Sequence, residues 1–325
     1  MTNEIHEQLT KYLTDAHSIE EQALAQLRTA PKLAGDPVLA DAYREHLVET
    51  EGHERRVGEL LEARGAKPSR TKDVVMGVGG KGFLLFARVQ ADTPGKLHAH
   101  ALSYEGFEVS SYELLRRVAE RAEEEDVVEA AGAIADQERE MMRRLEEGFD
   151  RAVEASLRAV DPDDLQEQLR KYLADAHAIE AQAIELLERG PKLAGDPKLA
   201  SIYAEHLAET RDHAELLQER LHALGGDPST LKDAALRLGA LNWGAFFQGH
   251  PDTPGKLAAF AHAFEYLEIG GYEQLRRVAE RATDEGTAEV AERILAQERE
   301  AAKRIAGAFD EAANAALASQ GFVVS

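Results

Sequence analysis

The chain has 325 residues, 38 basic and 60 acidic, for a formal net charge of −22; the length predicts about two domains, and the charge argues against nucleic acid and anionic membranes, which need a basic footprint. Hydrophobic residues make up 44% and aromatics only 6%, a composition leaning to helix, and the lack of cysteine excludes disulfides, zinc ribbons, iron–sulfur clusters and thiol nucleophiles. The opening MTNEIHEQLTKYL has no basic start followed by an apolar run, and no stretch nears about 18 consecutive apolar residues, so neither a signal peptide nor a membrane span is expected, and the cytoplasm is the expected address.

In chain order, a first helix is predicted from near residue 3 to 29. Gly35, Asp36 and Pro37 then supply a helix end, an N-cap and a first-turn proline, opening a second helix that continues to about Gly65. Residues 66–92, with Pro68 and several glycines, read as an irregular crossover containing a short helix. Thr93-Pro94 opens a third helix to about 122, and EEED at 123–126 leads into a fourth, ending near 159. Asp161-Pro162 repeats the cap-and-proline device and starts the pattern again.

The second pass is a copy of the first. KYLTDAHSIEEQAL at 11–24 falls on KYLADAHAIEAQAI at 171–184, PKLAGDP at 31–37 recurs at 191–197, and DTPGKL at 92–97 recurs at 252–257. The period is far longer than that of solenoid repeats, so this is a duplicated domain, 1–160 and 161–325. With almost no linker, the copies are expected to pack as a covalent pseudo-dimer; further oligomerisation is left open. Four long helices with one long connection between the second and third form an all-α, ferritin-like four-helix bundle rather than an up-down one.

The apolar stripes select which acids face inward. On the first helix the stripe runs Leu9, Leu13, Ala16, Glu20, Ala23, Leu27, with Glu180 as the counterpart of Glu20. On the second it includes His46, Glu49 and His53, matched by His206, Glu209 and His213; spacings of three and four stack these side chains on one face. The third carries Glu105, Glu108 and Tyr112, matched by Glu265, Glu268 and Tyr272, and the fourth carries Glu138, matched by Glu298.

Every helix therefore offers an inward carboxylate at matching positions. A charged carboxylate in a bundle core costs several kcal/mol, and four or five would consume a domain's stability of about 5–15 kcal/mol. No arginine falls cleanly in the stripes. Protonation is one answer; a pair of divalent cations is the other, their four positive charges balancing four carboxylates. Oxygen and imidazole donors without thiolate suit iron or manganese, with zinc as a substitute. Glu49 with His53 reads as a carboxylate–imidazole pair, and His46 as either a second imidazole ligand or an outer partner orienting Glu49.

The ExxExxxY run EGFEVSSY at 105–112 resembles the third helix of rubrerythrin-type bundles. More closely, KYLTDAHSIEEQAL, REHLVETEGHERR, SYEGFEVSSYELLRRVAERA and the QERE segment resemble the YciE/YciF-type family of ferritin-like bacterial stress proteins over nearly all of each copy. The resemblance implies a dinuclear metal site and a link to stress, without supplying a reaction. Carried over, it implies Glu20 as a terminal ligand, Glu49 as a bridge and His53 on the same metal as Glu20. Glu105 and Glu138 would serve the second metal, with Glu108 as an extra ligand. The second copy would use Glu180, Glu209, His213, Glu265, Glu268 and Glu298. Two departures stand out: ExxxH replaces ExxH on the second helix, and Met141 and Ala301 occupy the position of a second imidazole, leaving the second metal position poorer in ligands. His262, one turn before Glu265 where the first copy has Leu102, is a candidate outer partner of the second site, so the two sites need not be identical.

Other features have plainer readings. His17 and His177 read as packing or surface residues, Tyr112 and Tyr272 as core tyrosines hydrogen-bonded to a carboxylate, and AEEED at 122–126 as solvated charge. The tail ASQGFVVS is expected to dock on the bundle or a partner. The expected function is a dinuclear iron or manganese protein reacting with dioxygen or hydrogen peroxide; the alternative is a non-catalytic stress or interaction protein with a structural metal or none.

Overall fold

The computed structural model describes residues 2–66, 93–227 and 252–322. The chain divides into two compact units, 1–158 and 159–325, each an all-α, ferritin-like bundle. In the first unit, α1 (Thr2–Leu27), α2 (Ala30–Leu33), α3 (Pro37–Ala63), α4 (Thr93–Arg121) and α5 (Glu125–Leu157) follow one another. In the second, α6 (Leu165–Leu187), α7 (Gly190–Leu193), α8 (Pro197–Ala223), α9 (Thr253–Arg281), α10 (Glu285–Ala306) and α11 (Phe309–Ala318) do so, after a 3-10 turn at Pro162–Asp164. The short helix expected within 66–92 lies outside the described residues. Among those described there is no strand, and no helix is long and apolar enough to cross a membrane.

Local chemistry sets the boundaries. Asp36 caps α3, its side chain accepting from the backbone of Val38 at 2.9 Å and Leu39 at 3.1 Å, with Pro37 in the first turn. Gly35 sits at φ +67, and a Cβ there would lie 2.9 Å from Pro94 Cγ, so both backbone conformation and close approach demand glycine. Asp196 and Gly195 repeat the device in the second unit. The α4–α5 turn closes with Glu123 at φ 58 and the Glu124 amide bonded to Ala119 O at 3.0 Å, a six-to-one C-terminal closure.

Two expectations are corrected. The first helix ends at Leu27, and Ala30–Leu33 forms a separate turn, because Pro31 cannot continue the α1 ladder. The last helix of the second unit breaks after Ala306, at Gly307, where the first unit has Glu147 and runs unbroken to Leu157. A further exchange accompanies the break. In the first unit Gly148 lies under His98, whose ring nitrogen would stand 2.9 Å from an added Cβ; the second unit has Ala308 and Ala258 at the matching positions. The described part of the tail is the closing turn of α11, with the Phe322 amide on Leu317 O at 3.2 Å; residues 323–325 lie outside the described residues.

Within the first unit α1 packs on α3 and α4 on α5, and the two pairs close on each other; α6, α8, α9 and α10 repeat this in the second. One end of the first bundle is filled by Leu9, Leu13, Val57, Leu61, Leu115, Val118 and Val127, all fully or almost fully buried. The other holds Leu27, Leu39, Leu145 and Phe149. Truncating one of these to alanine costs about 2–5 kcal/mol. The polar cluster lies between the two apolar layers, shielded from water along the bundle axis.

Candidate metal centre

α3 contributes His46 and His53, seven residues and so roughly 10 Å apart along the axis. That separation lets two imidazoles serve two positions. Ligand atoms of His46, Glu105, Glu108 and Glu138 lie within 4.8 Å of one another, and those of Glu20, His53 and Glu138 form a second such group. Glu138 belongs to both. Glu20, Glu108, Glu138 and His46 are 0% exposed, and Glu105 and His53 no more than 4%.

The imidazoles are oriented from outside. His46 Nδ1 lies 3.0 Å from Glu49 Oε2; a carboxylate only accepts, so Nδ1 carries the hydrogen. Its other nitrogen, Nε2, is left facing Glu105 Oε2 at 3.1 Å and Glu138 Oε2 at 3.3 Å. His53 is turned the other way. Its Nε2 donates to Gln137 Oε1 at 2.7 Å, and Nδ1 faces Glu138 Oε1 at 2.8 Å and Glu20 Oε2 at 3.9 Å. Such outer acceptors fix the tautomer and orientation of a ligating histidine.

These inner atoms are within ion-pair range, yet His46 Nε2, His53 Nδ1, Glu20 Oε2, Glu105 Oε2 and both oxygens of Glu108 and Glu138 have no hydrogen-bond partner of proper geometry. Atoms converging on a common point, rather than on one another, leave this pattern. Buried polar atoms without partners are rare, because each costs about 1–3 kcal/mol. Glu113 supplies a control from the same bundle. It too is buried, but Arg116, Arg117 and Arg139 all bond it, and although burial pushes it up, they hold its carboxyl at about 2. Among the described residues, no arginine reaches the central group in this way.

Without a cation, the cluster holds protons. Burial, reinforced by the charge of Glu138, pushes the Glu20 carboxyl up to about 8; burial pushes Glu105 up to about 7 and Glu108 well above its usual range. Burial opposes charge on the imidazoles, but Glu105 and Glu138 hold His46 well above its usual value, and Glu138 with Glu20 brings His53 to about 8. Tyr112 Oη donates a short hydrogen bond to Glu20 Oε1, leaving Oε2 pointed inward.

The second unit repeats the arrangement. Its groups are His206, Glu265, Glu268, Glu298 and Glu180, His213, Glu298. His206 Nδ1 lies 3.0 Å from Glu209 Oε2, His213 Nε2 lies 3.2 Å from Gln297 Oε1, and Tyr272 donates to Glu180. The counterparts of every orphaned atom are orphaned here too. Burial, with the charges of Glu298 and Glu180, likewise raises Glu268.

Glu49 and Glu209, for which the resemblance implies a bridging role, are not brought into either group. Each stands behind its histidine, side chain 31% and 29% exposed. The residue common to both groups is Glu138 or Glu298, and His46 or His206 occupies the inner position. Met141 and Ala301 lie on the fourth long helix, while the imidazole in the group with Glu105 or Glu265 comes from α3 or α8. His262 lies outside both groups, buried edge-on against Tyr266 and Phe309 at ring distances of 5.0 and 5.3 Å.

Four participants escaped the sequence reading. Gln137 and Gln297 hold the second histidine of each unit; they adjoin Glu138 and Glu298 in the repeated QERE, which is the signal that could have found them. Arg144 stands 3.7 Å from Glu49, and Arg304 bonds Glu209, which its bonds to His206 and Arg304 hold at about 2.

A family model described as a domain of unknown function (DUF892) matches residues 4–158 and again 164–318. The chain belongs to this family, as a tandem pair. No solved structure matches the chain.

Proposed function

We propose that each unit is a dinuclear metal protein, holding two divalent cations, iron or manganese, that react with dioxygen or hydrogen peroxide in a protective, stress-related role. The observation that supports this best is the pair of imidazoles, each held by an outward hydrogen bond so that its other nitrogen faces into a cluster of four carboxylates, which no arginine among the described residues neutralises. The donors fit the ions: imidazole nitrogen and carboxylate oxygen, without thiolate, suit iron and manganese and also accept zinc. One position would use Glu20, His53 and Glu138, the other His46, Glu105, Glu108 and Glu138. When bound in its reduced, divalent form, an iron or manganese pair would supply the electrons that dioxygen or peroxide takes up, being itself oxidised.

The chain's own residues prepare the site. Tyr112 orients Glu20, Glu49 and Gln137 orient the histidines, and the apolar layers above and below keep bulk water out. Glu108, whose two oxygens have no other partner, is the carboxylate freest to change its grip when the charge of the pair changes. The likeness of the helix motifs to YciE/YciF-type stress proteins supports the same reading.

Elemental analysis of protein purified without chelators, then oxygen consumption after adding ferrous iron to the metal-free form, tests it. About four ions per chain and a burst of oxygen uptake are expected. Full loading with a flat oxygen trace would overturn the oxidative role and leave a metal-holding scaffold; no loading at all would overturn both.

A further inference from the structure

We propose that the first unit carries a third divalent-cation position, outside the buried centre on the α1–α3 seam, formed by His17, Glu21 and Glu54. His17 and Glu21 are one helical turn apart and share a face of α1. Glu54 comes across from α3, and ligand atoms of the three lie within 4.8 Å of one another. The imidazole is the inner wall: His17 is 5% exposed, with Nε2 3.0 Å from Glu54 Oε1 and Nδ1 buried without a hydrogen-bond partner. Glu21 is exposed and Glu54 half-buried, so the outer side opens to water.

A His17–Glu54 hydrogen bond alone leaves much unexplained. It uses one ring nitrogen and one oxygen, and does nothing for Glu21, whose carboxylate converges on that of Glu54. Like charges at this distance repel, and among the described residues neither carboxylate pairs with lysine or arginine. A cation between them turns the repulsion into attraction. One imidazole and two carboxylates, completed by water, suit Mn(II), Fe(II) or Zn(II). Three protein donors on an open face make an exchangeable position, weaker than an enclosed one.

The duplication isolates the feature. The buried groups recur in both units, but the second has His177 with Ala181 and Ala214 where the first has Glu21 and Glu54. The third position is therefore a property of the first unit alone, and it adjoins the centre in sequence: Glu21 follows Glu20, and Glu54 follows His53.

Mn(II) titration of the full chain, with bound and free ion separated by electron paramagnetic resonance, tests the proposal. Glu21→Gln leaves the His17–Glu54 bond intact, so a merely structural pair would not respond. The expected result is a loss of tenfold or more in affinity for one ion per chain, with the helical circular dichroism unchanged. Glu21→Ala/Glu54→Ala should remove that ion entirely. Glu138→Gln/Glu298→Gln should retain it, and this separates its fate from that of the buried centre. Identical titrations for wild type and Glu21→Gln would overturn the third position, whatever the buried sites do.

Discussion

His53 Nδ1 stands 2.8 Å from Glu138 Oε1, while the other nitrogen of the ring is held by Gln137, the residue before Glu138. Two successive residues of α5 thus grip both nitrogens of one imidazole, one from inside the bundle and one from outside. Because Glu138 also faces His46 through its second oxygen at 3.3 Å, it is the one carboxylate common to both positions. Glu138→Ala should therefore remove both buried ions of the first unit, half of those held in the two buried centres, whereas Glu20→Ala should remove one. Metal-to-protein ratios measured after loading check this, and a Glu138→Ala variant that loses only a single ion would refute the shared role.

Glu49 acts at one remove. It accepts from His46 Nδ1 and lies partly in solvent beside Arg144. Outer partners of this type are worth about 10–100-fold in metal affinity, so Glu49→Ala should weaken the His46 position by that factor without emptying it. Competition with a chelator of known affinity measures the change. Complete loss of an ion would mean that Glu49 binds the metal directly.

Glu108 exposes the conflict between stability and binding. It is 0% exposed and neither oxygen has a hydrogen-bond partner. In metal-free protein it is the most poorly accommodated acid of its group, and its protonated form still leaves polar atoms unsatisfied. Glu108→Met, similar in volume and apolar, should stabilise the metal-free first unit by about 1–3 kcal/mol while lowering its affinity for metal. Urea denaturation with chelator present gives the first quantity and metal titration the second. Destabilisation of the metal-free protein would show that Glu108 already has a satisfactory partner.

Much of this was legible because helical periodicity is strong where helices are long. Glu20, Glu105, Glu108 and Glu138 fall in apolar stripes, and the second copy repeats them, so their burial followed from spacing alone. The order of His46 and Glu49 did not. Three residues apart, both lie within the arc of one stripe, and side-chain direction against the neighbouring helices decides which points in. Imidazole, apolar over most of its ring, takes the fully buried place; the carboxylate takes the rim, where water and Arg144 share its charge. Glu113 escaped for a related reason: its arginines come from two helices, and Arg139 is 26 positions away. The break at Gly307 was invisible to the pattern because the apolar period continues through it into Phe309 and Ala312.

The protonation pattern makes stability depend on pH in opposite directions with and without metal. Glu20 rises from 4.5 in the unfolded chain to about 8 when folded, and Glu105 from 4.5 to about 7. Both bind protons more tightly in the folded state, so the stability they contribute is fully present below about 4.5 and is lost as pH climbs through 7 and 8. His53, raised from 6.5 to about 8, acts in the same sense over the upper part of that window. A bound cation needs those groups deprotonated, so metal affinity should rise over the same range. Metal-free protein should accordingly lose roughly 5 °C or more in Tm between about pH 6 and pH 8.5, and the metal-induced gain in Tm should be larger at the upper value. Paired calorimetric scans with chelator and with excess Mn(II) make the comparison. A metal-free Tm that holds steady or climbs over this interval would mean that the buried carboxyls are already ionised and are neutralised by something other than protons.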